Sequence, residues 1–160
     1  MRERDADETA ALLAVQRLQA AYGDVITRRA WTELPALFEP GAVVDVDTRT
    51  REPVHLEGPN AVAEFIAGAI ERFAFFELAI LNTVADVDGD EAVGRVYMCE
   101  HRLDHDGVWS DAYGLYQDRY RRHGDDWLIA NRQYSSLARH AEPIESFQLP
   151  AIDDWPNWPR

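Results

Sequence analysis

The chain has 160 residues, 46% of them apolar, and its formal net charge at pH 7 is −13. A chain of this length is expected to form one domain that buries roughly 70% of the surface exposed by its unfolded form. The negative charge repels phosphate backbones and anionic lipid headgroups, so the composition argues against nucleic-acid and membrane-surface partners.

The lysine and cysteine content excludes further reaction mechanisms and sites. All the basic residues are arginines, which excludes lysine-based Schiff-base mechanisms. Cys99 is the single cysteine, which excludes an internal disulfide and a Cys-x-x-Cys metal site. Because the first residues are charged rather than apolar, we expect no signal peptide and a soluble, cytoplasmic protein.

The first half of the chain has helical periodicity. Apolar residues from Leu12 to Ile26 recur at three- and four-residue steps, which predicts a helix capped by Asp5 or Asp7 and ending near Arg29. Residues 31–38 predict a short second helix that Glu39-Pro40-Gly41 ends.

A strand and a third helix are predicted next. Residues 43–46 predict the first strand, and residues 47–53 a polar loop. Gly58-Pro59-Asn60 opens the third helix. Its apolar stripe consists of Val62, Phe65, Ile66, Ile70 and Phe73.

From Phe75 onward, the sequence predicts four long antiparallel strands. Glycine-containing turns at residues 88–90, 105–107 and 123–126 separate them. Strands of this length must twist and coil, and the mid-strand Gly94 and Gly114 suit a sharply bent sheet.

These elements predict an α+β domain over residues 1–140, in which three helices cover the concave side of a curved antiparallel sheet. Residues 141–160 form a tail with four prolines and two tryptophans. A tail this apolar is expected to dock on the domain or on a second subunit.

Several phrases of the sequence resemble one family. They are Tyr22 near the end of the first helix, "WTELPALF" (31–38), Gly58-Pro59-Asn60-Ala61, "DVDGDEAVGRVY" (86–97) and "GLYQDRYRRHGDDWLIANR" (114–132). Over residues 8 to 137 the chain resembles the SnoaL-like branch of the nuclear transport factor 2-like superfamily. The resemblance implies a cone-shaped, cystatin-like α+β barrel around an apolar pocket that is open at one end.

The members of this superfamily include polyketide cyclases, scytalone dehydratase, steroid isomerases, bile-acid dehydratases, halocarbon dehydrochlorinases and proteins without known chemistry. The resemblance therefore implies an apolar cyclic or polyketide-like ligand and no cofactor. With alternation along the strands, it places one set of residues in the pocket: Tyr22, Thr27, Phe65, Leu78, Val96, Met98, Glu100, Gly114, Tyr116, Asp118 and Arg132.

The dehydratase-like members use an aspartate on the first helix and a histidine on the first long strand. Here the matching positions hold Thr27 and Leu78, or Glu77 if the register differs by one residue. Both halves of the dyad are absent. The chain therefore uses a different acid and base, or it binds a ligand without catalysis.

Glu100 and His101 are the candidate proton-transfer groups. An apolar wall would raise the pKa of Glu100 into a useful range, whereas pairing with Arg132 would make it structural. Strict alternation turns His101 outward, and only a bulge would turn it into the pocket. With His105, these two residues superficially resemble a metal set, but no third strong ligand follows at a suitable spacing, so no metal is expected.

The remaining candidates would hold a substrate oxygen. Tyr22 is either a pocket hydroxyl or a core aromatic residue. Tyr116, Asp118 and Tyr120 are candidates for contacts with a carbonyl, unless Asp118 pairs with Arg95 or Arg132 across the strands. Arg132 is the best candidate for contacting an anion or a carbonyl, with a salt-bridged scaffold as its alternative.

Three functions follow. The leading hypothesis is an enzyme that catalyses cyclisation, isomerisation or elimination of its substrate. Tyr22, Tyr116 and Arg132 would polarise a substrate oxygen, and His101 or Glu100 would transfer the proton. The second is a small-molecule-binding protein without catalysis, and the third is a structural subunit similar to the small β-subunit of ring-hydroxylating dioxygenases.

The resemblance also implies a homodimer. Its members commonly pair through the convex face of the sheet, where Leu115, Gln117 and Arg119 would lie.

Overall fold

The computed structural model describes residues 6–140. In chain order the elements are helix α1 (Ala6–Arg28), a 3-10 turn (Leu34–Leu37), strands β1 (Phe38–Asp47) and β2 (Val54–Glu57), helix α2 (Pro59–Ile70), and strands β3 (Phe73–Asp88), β4 (Glu91–Asp104), β5 (Trp109–His123) and β6 (Asp126–Arg139). The predicted α+β class is confirmed. Within residues 6–140, no helix is long and apolar enough to cross a membrane.

The six strands form one curved sheet in the order β2-β1-β6-β5-β4-β3. Strands β3 to β6 are the predicted antiparallel meander, and β1 joins it in parallel to β6. The three hairpin turns contain Gly89, Gly107 and Gly124, whose φ angles are 61°, 82° and 65°. Glycine suits these turns because a side chain at positive φ is strained.

Several local expectations are wrong. Helix α2 ends at Ile70, so Phe73 belongs to β3 and not to the apolar stripe of the helix. The sheet contains one parallel pair, and two α-helices are present within residues 6–140 instead of three. Residues 31–38 form only one 3-10 turn instead of a second helix, and β1 begins at Phe38 and runs through Pro40 and Gly41. Pro40 is tolerated because the pairing of β1 with β6 is irregular between Phe38 and Val43. Strand β2, which pairs with β1, was not predicted.

The two mid-strand glycines lie beneath tyrosine rings on the inner face of the sheet. A Cβ atom on Gly94 would lie 3.0 Å from Tyr120 Cε2. One on Gly114 would lie 2.8 Å from Met98 Sδ and would collide with the ring of Tyr134. These glycines therefore make room for aromatic rings inside the cone.

The core forms where α1 crosses the inner face of the sheet. Helix α1 buries one side, consisting of Ala11, Val15, Leu18, Gln19, Tyr22, Gly23, Val25 and Ile26. On the outer face, Leu115 and Gln117 are already buried within the chain, at 1% and 6% exposure. They offer little area to a partner, and the homodimer stays a prediction. The predicted docking of the tail concerns residues 141–160, which lie outside the described residues.

Candidate functional site

A pocket opens between the two helices and the inner face of the sheet, with a space of about 830 Å³ when its open mouth is included. Its apolar walls consist of Ile26, Val44, Val46, Leu56, Phe65, Ile66, Ala69, Ile70, Phe73, Phe76 and Leu78. Its polar lining consists of Tyr22, Thr48, Arg51, Arg72, Glu100, Arg102, Tyr116, Arg132, Tyr134 and Arg139. This combination of apolar walls with a few convergent polar groups is typical of small-molecule sites.

The structure brings together six of the predicted site residues. The pocket is lined by Tyr22, Phe65, Leu78, Glu100, Tyr116 and Arg132. The other predicted residues do not line it. Val96 and Met98 are fully buried, Asp118 lies deeper in a polar cluster, and Gly114 lies beneath the ring of Tyr134. Thr27 and His101 are also absent from the lining. Alternation therefore located the correct face of β4 and β5 but not how far along it the pocket extends.

At the inner end of the pocket, Arg132 is held by an ion pair with Asp118. It donates from Nε to Asp118 Oδ1 at 2.8 Å and from Nη2 to Asp118 Oδ2 at 2.6 Å. The two residues are directly opposed on β5 and β6, and both are almost completely buried. Asp118 therefore pairs with Arg132, and Glu100 forms its ion pair with Arg102 instead, at 3.6 Å between Oε2 and Nη1.

Gln19 and Tyr120 complete this cluster, which we call the inner network (Gln19, Asp118, Tyr120 and Arg132). Tyr120 donates its hydroxyl to Asp118 Oδ2 at 2.8 Å, and Gln19 Oε1 accepts from Arg132 Nη2 at 2.8 Å. Gln19 Nε2 donates to Asp118 Oδ2 and to the Tyr120 hydroxyl, at 3.2 and 3.0 Å. Sequence reasoning missed Gln19, although a polar residue within the apolar stripe of α1 was a signal for it.

One nitrogen of Arg132 is left without a partner. Among residues 6–140, the buried Arg132 Nη1 has no hydrogen-bond acceptor. The guanidinium lies against two pocket tyrosines, with its Cζ atom 4.3 Å from the Tyr22 ring centre and 3.9 Å from that of Tyr116. Because a buried donor without an acceptor is costly, this nitrogen is a candidate contact for a ligand oxygen.

The two tyrosines remain protonated at neutral pH. Burial raises the pKa of Tyr22, although Arg132 and a hydrogen bond with Tyr116 oppose the shift. Burial and the neighbouring Tyr22 raise the pKa of Tyr116 well above its usual value. Their hydroxyls are therefore hydrogen-bond donors rather than bases.

Glu100 is the only carboxylate that lines the pocket within the described residues. Its side chain is 22% exposed, and one carboxylate oxygen lies 3.6 Å from Arg102 Nη1. Burial raises the pKa of Glu100, although Arg102, Arg139 and Arg72 oppose the shift. A carboxylate whose pKa is raised is a stronger base than an exposed glutamate, which suits acid–base chemistry.

The pocket lining contains four arginines besides Arg132, and we call these four and Glu100 the mouth cluster (Arg51, Arg72, Glu100, Arg102 and Arg139). Sequence reasoning missed the arginines, and it also missed Tyr134, whose pKa burial and Glu100 raise to about 12. Strand alternation could have identified Arg102 and Tyr134, because Arg102 lies two positions after the inward Glu100 and Tyr134 lies two positions after the inward Arg132.

The structure contradicts the placement of His101 in the pocket. Strand β4 continues past His101 without a bulge, so its side chain lies on the outer face of the sheet, 2.9 Å from Asp111. There Cys99, His101 and Asp111 offer three potential ligand atoms within 4.8 Å of one another, a group that sequence spacing did not reveal. A metal ion held there would lie across the sheet from the pocket.

The two positions of the absent dyad do lie side by side. Leu78 N donates to Thr27 Oγ1 at 3.0 Å, which ties β3 to α1. Leu78 is 6% exposed and lines the pocket, whereas the neighbouring Glu77 is exposed. In place of the dyad, Thr27 therefore accepts a hydrogen bond from the backbone, and Leu78 forms part of the apolar wall of the pocket.

Comparison with known proteins gives a family and a fold. A family model described as "SnoaL-like domain" matches residues 7–133. Among curated proteins, none matches the sequence of this chain.

Several solved structures share the fold. A proposed scytalone dehydratase from Novosphingobium aromaticivorans is 18% identical, with 87% of this chain and 92% of that chain covered and a TM-score of 0.73. A hexachlorocyclohexane dehydrochlorinase, LinA type 2, is 16% identical, with coverages of 93% and 100% and a TM-score of 0.73. An NTF2-like protein with a cystatin-like fold from Novosphingobium aromaticivorans is 19% identical, with coverages of 85% and 92% and a TM-score of 0.67. At these identities, the likeness shows the fold alone.

Proposed function

Since the chain belongs to the SnoaL-like domain family, we propose that its pocket binds an apolar cyclic or polyketide-like small molecule and catalyses an isomerisation or elimination on it by proton transfer. The observation that carries this proposal is the buried, unpartnered Arg132 Nη1 beside two protonated tyrosines, in the same pocket as a carboxyl group of raised pKa. Enolisation requires hydrogen-bond donors that stabilise the oxygen and a base that removes a proton from carbon, and the pocket supplies both.

The roles follow from the geometry. A substrate carbonyl oxygen accepts hydrogen bonds from Arg132 Nη1 and from the hydroxyl of Tyr22 or Tyr116. Glu100 removes a proton from a carbon next to that carbonyl, and the donors stabilise the negative charge that develops on the oxygen. Return of the proton to another carbon completes an isomerisation, and departure of a leaving group completes an elimination. Neither route requires a cofactor.

Asp118 acts on Arg132 and not on the substrate. Burial alone would lower the pKa of Arg132, but the ion pair with Asp118 raises it, so the guanidinium remains charged. Two hydrogen bonds from Arg132 to Asp118 fix the plane of the guanidinium, and Nη1 is the nitrogen that remains available. Asp118 is therefore a positioning residue.

A second function is favoured by a specific observation. Thr27 and Leu78 occupy the dyad positions, and Leu78 adds an apolar wall where a proton-transfer group would stand. A binding protein that holds its ligand without converting it is consistent with this substitution.

Hydrogen–deuterium exchange separates the two functions without knowledge of the natural substrate. 2-Tetralone, an apolar bicyclic ketone, is incubated in deuterated buffer with the wild type, with Glu100→Gln and with Asp111→Asn as a control on the other face of the sheet. The proposal expects the wild type and Asp111→Asn to accelerate exchange next to the carbonyl, and Glu100→Gln to lose about 10²- to 10⁴-fold of that acceleration. If 2-tetralone binds but exchanges its protons no faster than in buffer alone, the binding function is supported instead. If all three proteins accelerate the exchange equally, Glu100 is not the base.

A further inference from the structure

The mouth of the pocket carries more positive than negative charge. Arg51 and Arg72 are exposed at the mouth, and neither forms an ion pair within residues 6–140. Arg102, which is only 4% exposed, lies near Glu100, and among residues 6–140 Glu100 is the one carboxylate that lines the pocket. Such an excess is unexpected in a chain whose formal net charge is −13.

An aromatic ring supports two of these arginines. The Cζ atoms of Arg72 and Arg102 lie 4.8 and 5.3 Å from the ring centre of Phe73. Cation–π contacts of this kind favour positions near the ring, and Phe73 itself lines the pocket. The two guanidinium groups are therefore held beside an apolar surface, where their planar forks match a carboxylate.

The distance between the two polar ends sets the length of a ligand. Glu100 is opposite Ala112 on β5, and Tyr116 lies four residues further along the same strand. At about 3.3 Å per residue, the two levels are about 13 Å apart along the strand. The Glu100 side chain is close enough to Tyr116 and Tyr134 to raise the pKa of both hydroxyls, so it acts on the part of a ligand that lies near the inner donors. A ligand that extends from Arg132 past Glu100 to the exposed Arg51 and Arg72 is therefore elongated, about the length of a two-ring system with a polar group at each end.

We propose that the mouth cluster binds the carboxylate of the substrate, so that the substrate class is an elongated apolar ring compound with a carbonyl or hydroxyl at its inner end and a carboxylate at its outer end. This inference rests on the proposed function only in that it takes the pocket to be the ligand site. Arg51 and Arg72 contact the carboxylate, and the inner donors contact the oxygen at the other end. The charge at the mouth thus fixes which end of the molecule enters first.

A matched pair of probes tests the inference. 6-Hydroxy-2-naphthoate and its methyl ester have the same rings and hydroxyl and differ in the negative charge. Their affinities are measured by fluorescence titration with the wild type, Arg51→Gln, Arg72→Gln and the control Arg17→Gln, which removes one positive charge from the exposed face of α1. The inference expects the wild type to prefer the carboxylate by about tenfold at low salt, and the preference to fall about threefold in each mouth variant but not in Arg17→Gln.

Salt gives a second readout that requires no variant. The preference for the carboxylate should shrink as ionic strength rises, because the mouth arginines are exposed and screened, while the affinity of the ester should stay constant. Equal affinity for both probes would overturn the carboxylate subsite and leave the proposed pocket intact. A preference that all three variants reduce equally would also overturn it, and failure of both probes to bind would contradict the pocket as a ligand site together with the inference.

Discussion

The inner network and the mouth cluster lie on the same face of the same strands, but they differ in how far their polar groups satisfy one another. In the inner network, the Asp118 carboxylate accepts from Arg132, Gln19 and Tyr120, and a single nitrogen of the four residues has no acceptor within residues 6–140. In the mouth cluster, Glu100 lies 3.6 Å from its nearest guanidinium and has a raised pKa.

Buried carboxylates have different roles in the two clusters. A carboxylate with all its hydrogen bonds made is part of the scaffold, and its removal costs stability. A carboxylate whose pKa is raised by burial is a stronger base than an exposed one, and its removal costs activity. Asp118 and Glu100 are therefore expected to respond to substitution in opposite ways.

Asp118→Ala has the largest expected effect on stability. It leaves the Arg132 guanidinium buried without its counter-ion, which should lower the free energy of unfolding by about 3–5 kcal/mol in urea denaturation. The matched control is Asp111→Ala on the same strand, which breaks a half-exposed pair with His101 and should cost at most about 1 kcal/mol. Similar losses in the two variants would show that the inner network is not the stabilising cluster.

Gly114→Ala tests the space between the two clusters. The added Cβ would collide with the ring of Tyr134 and lie 2.8 Å from Met98 Sδ, so we expect a loss of about 1–3 kcal/mol from overpacking. Gly68→Ala is the control, because nothing lies within 4 Å of its Cβ and it is in α2, where alanine favours the helix. If Gly114→Ala is neutral, the pocket wall is more adaptable than its packing indicates.

Glu100→Gln should change stability in a pH-dependent way. Because the folded protein raises the pKa of Glu100 above its ordinary value of 4.5, ionisation of this group destabilises the folded state as pH rises from that value through the raised pKa. The variant should therefore match the wild type near pH 4 and gain stability relative to it at neutral pH. Thermal denaturation across this range measures the difference, and a variant that loses stability at pH 7 would assign Glu100 to the scaffold.

Arg72→Gln should have the smallest effect on stability. The side chain is exposed and forms no ion pair within the described residues, and its cation–π contact with Phe73 is the main interaction lost, so the free energy of unfolding should change by no more than about 1 kcal/mol. Urea denaturation of Arg72→Gln and Asp118→Ala under the same conditions compares the two losses in free energy of unfolding, and we expect the loss to be small for the mouth cluster and large for the inner network. A loss above 1–2 kcal/mol would mean that the mouth arginines hold the fold together.

The sequence was sufficient to predict α1, the four-stranded meander and the inward face of β4 and β5, because periodicity and turn glycines determine these features locally. It was not sufficient for β2, which is a short strand after a polar loop, or for the end of the helical pattern at residues 34–37. Strand β2 forms by pairing with β1, and the helical pattern stops where β1 begins, at Phe38, which pairs with Ile129 on the distant β6.

Within the site, alternation identified Glu100, Tyr116 and Arg132, but not which carboxylate would be paired. That choice depends on the register between β5 and β6, which places Asp118 directly opposite Arg132. Arg51 and Arg72 come from segments without periodicity, so only the folded chain reveals that they reach the pocket. His101 was misplaced as an inward candidate because its inward position required a bulge that β4 lacks there.

A crystal structure of the protein with the methyl ester of 6-hydroxy-2-naphthoate tests the central claim most directly, because this neutral probe needs only the inner end of the pocket. The account predicts the probe hydroxyl within about 3 Å of Arg132 Nη1, beside Tyr22 and Tyr116, with the Asp118–Arg132 pair unchanged. A probe bound elsewhere, or an Arg132 Nη1 that donates to an acceptor of the protein itself, would contradict it.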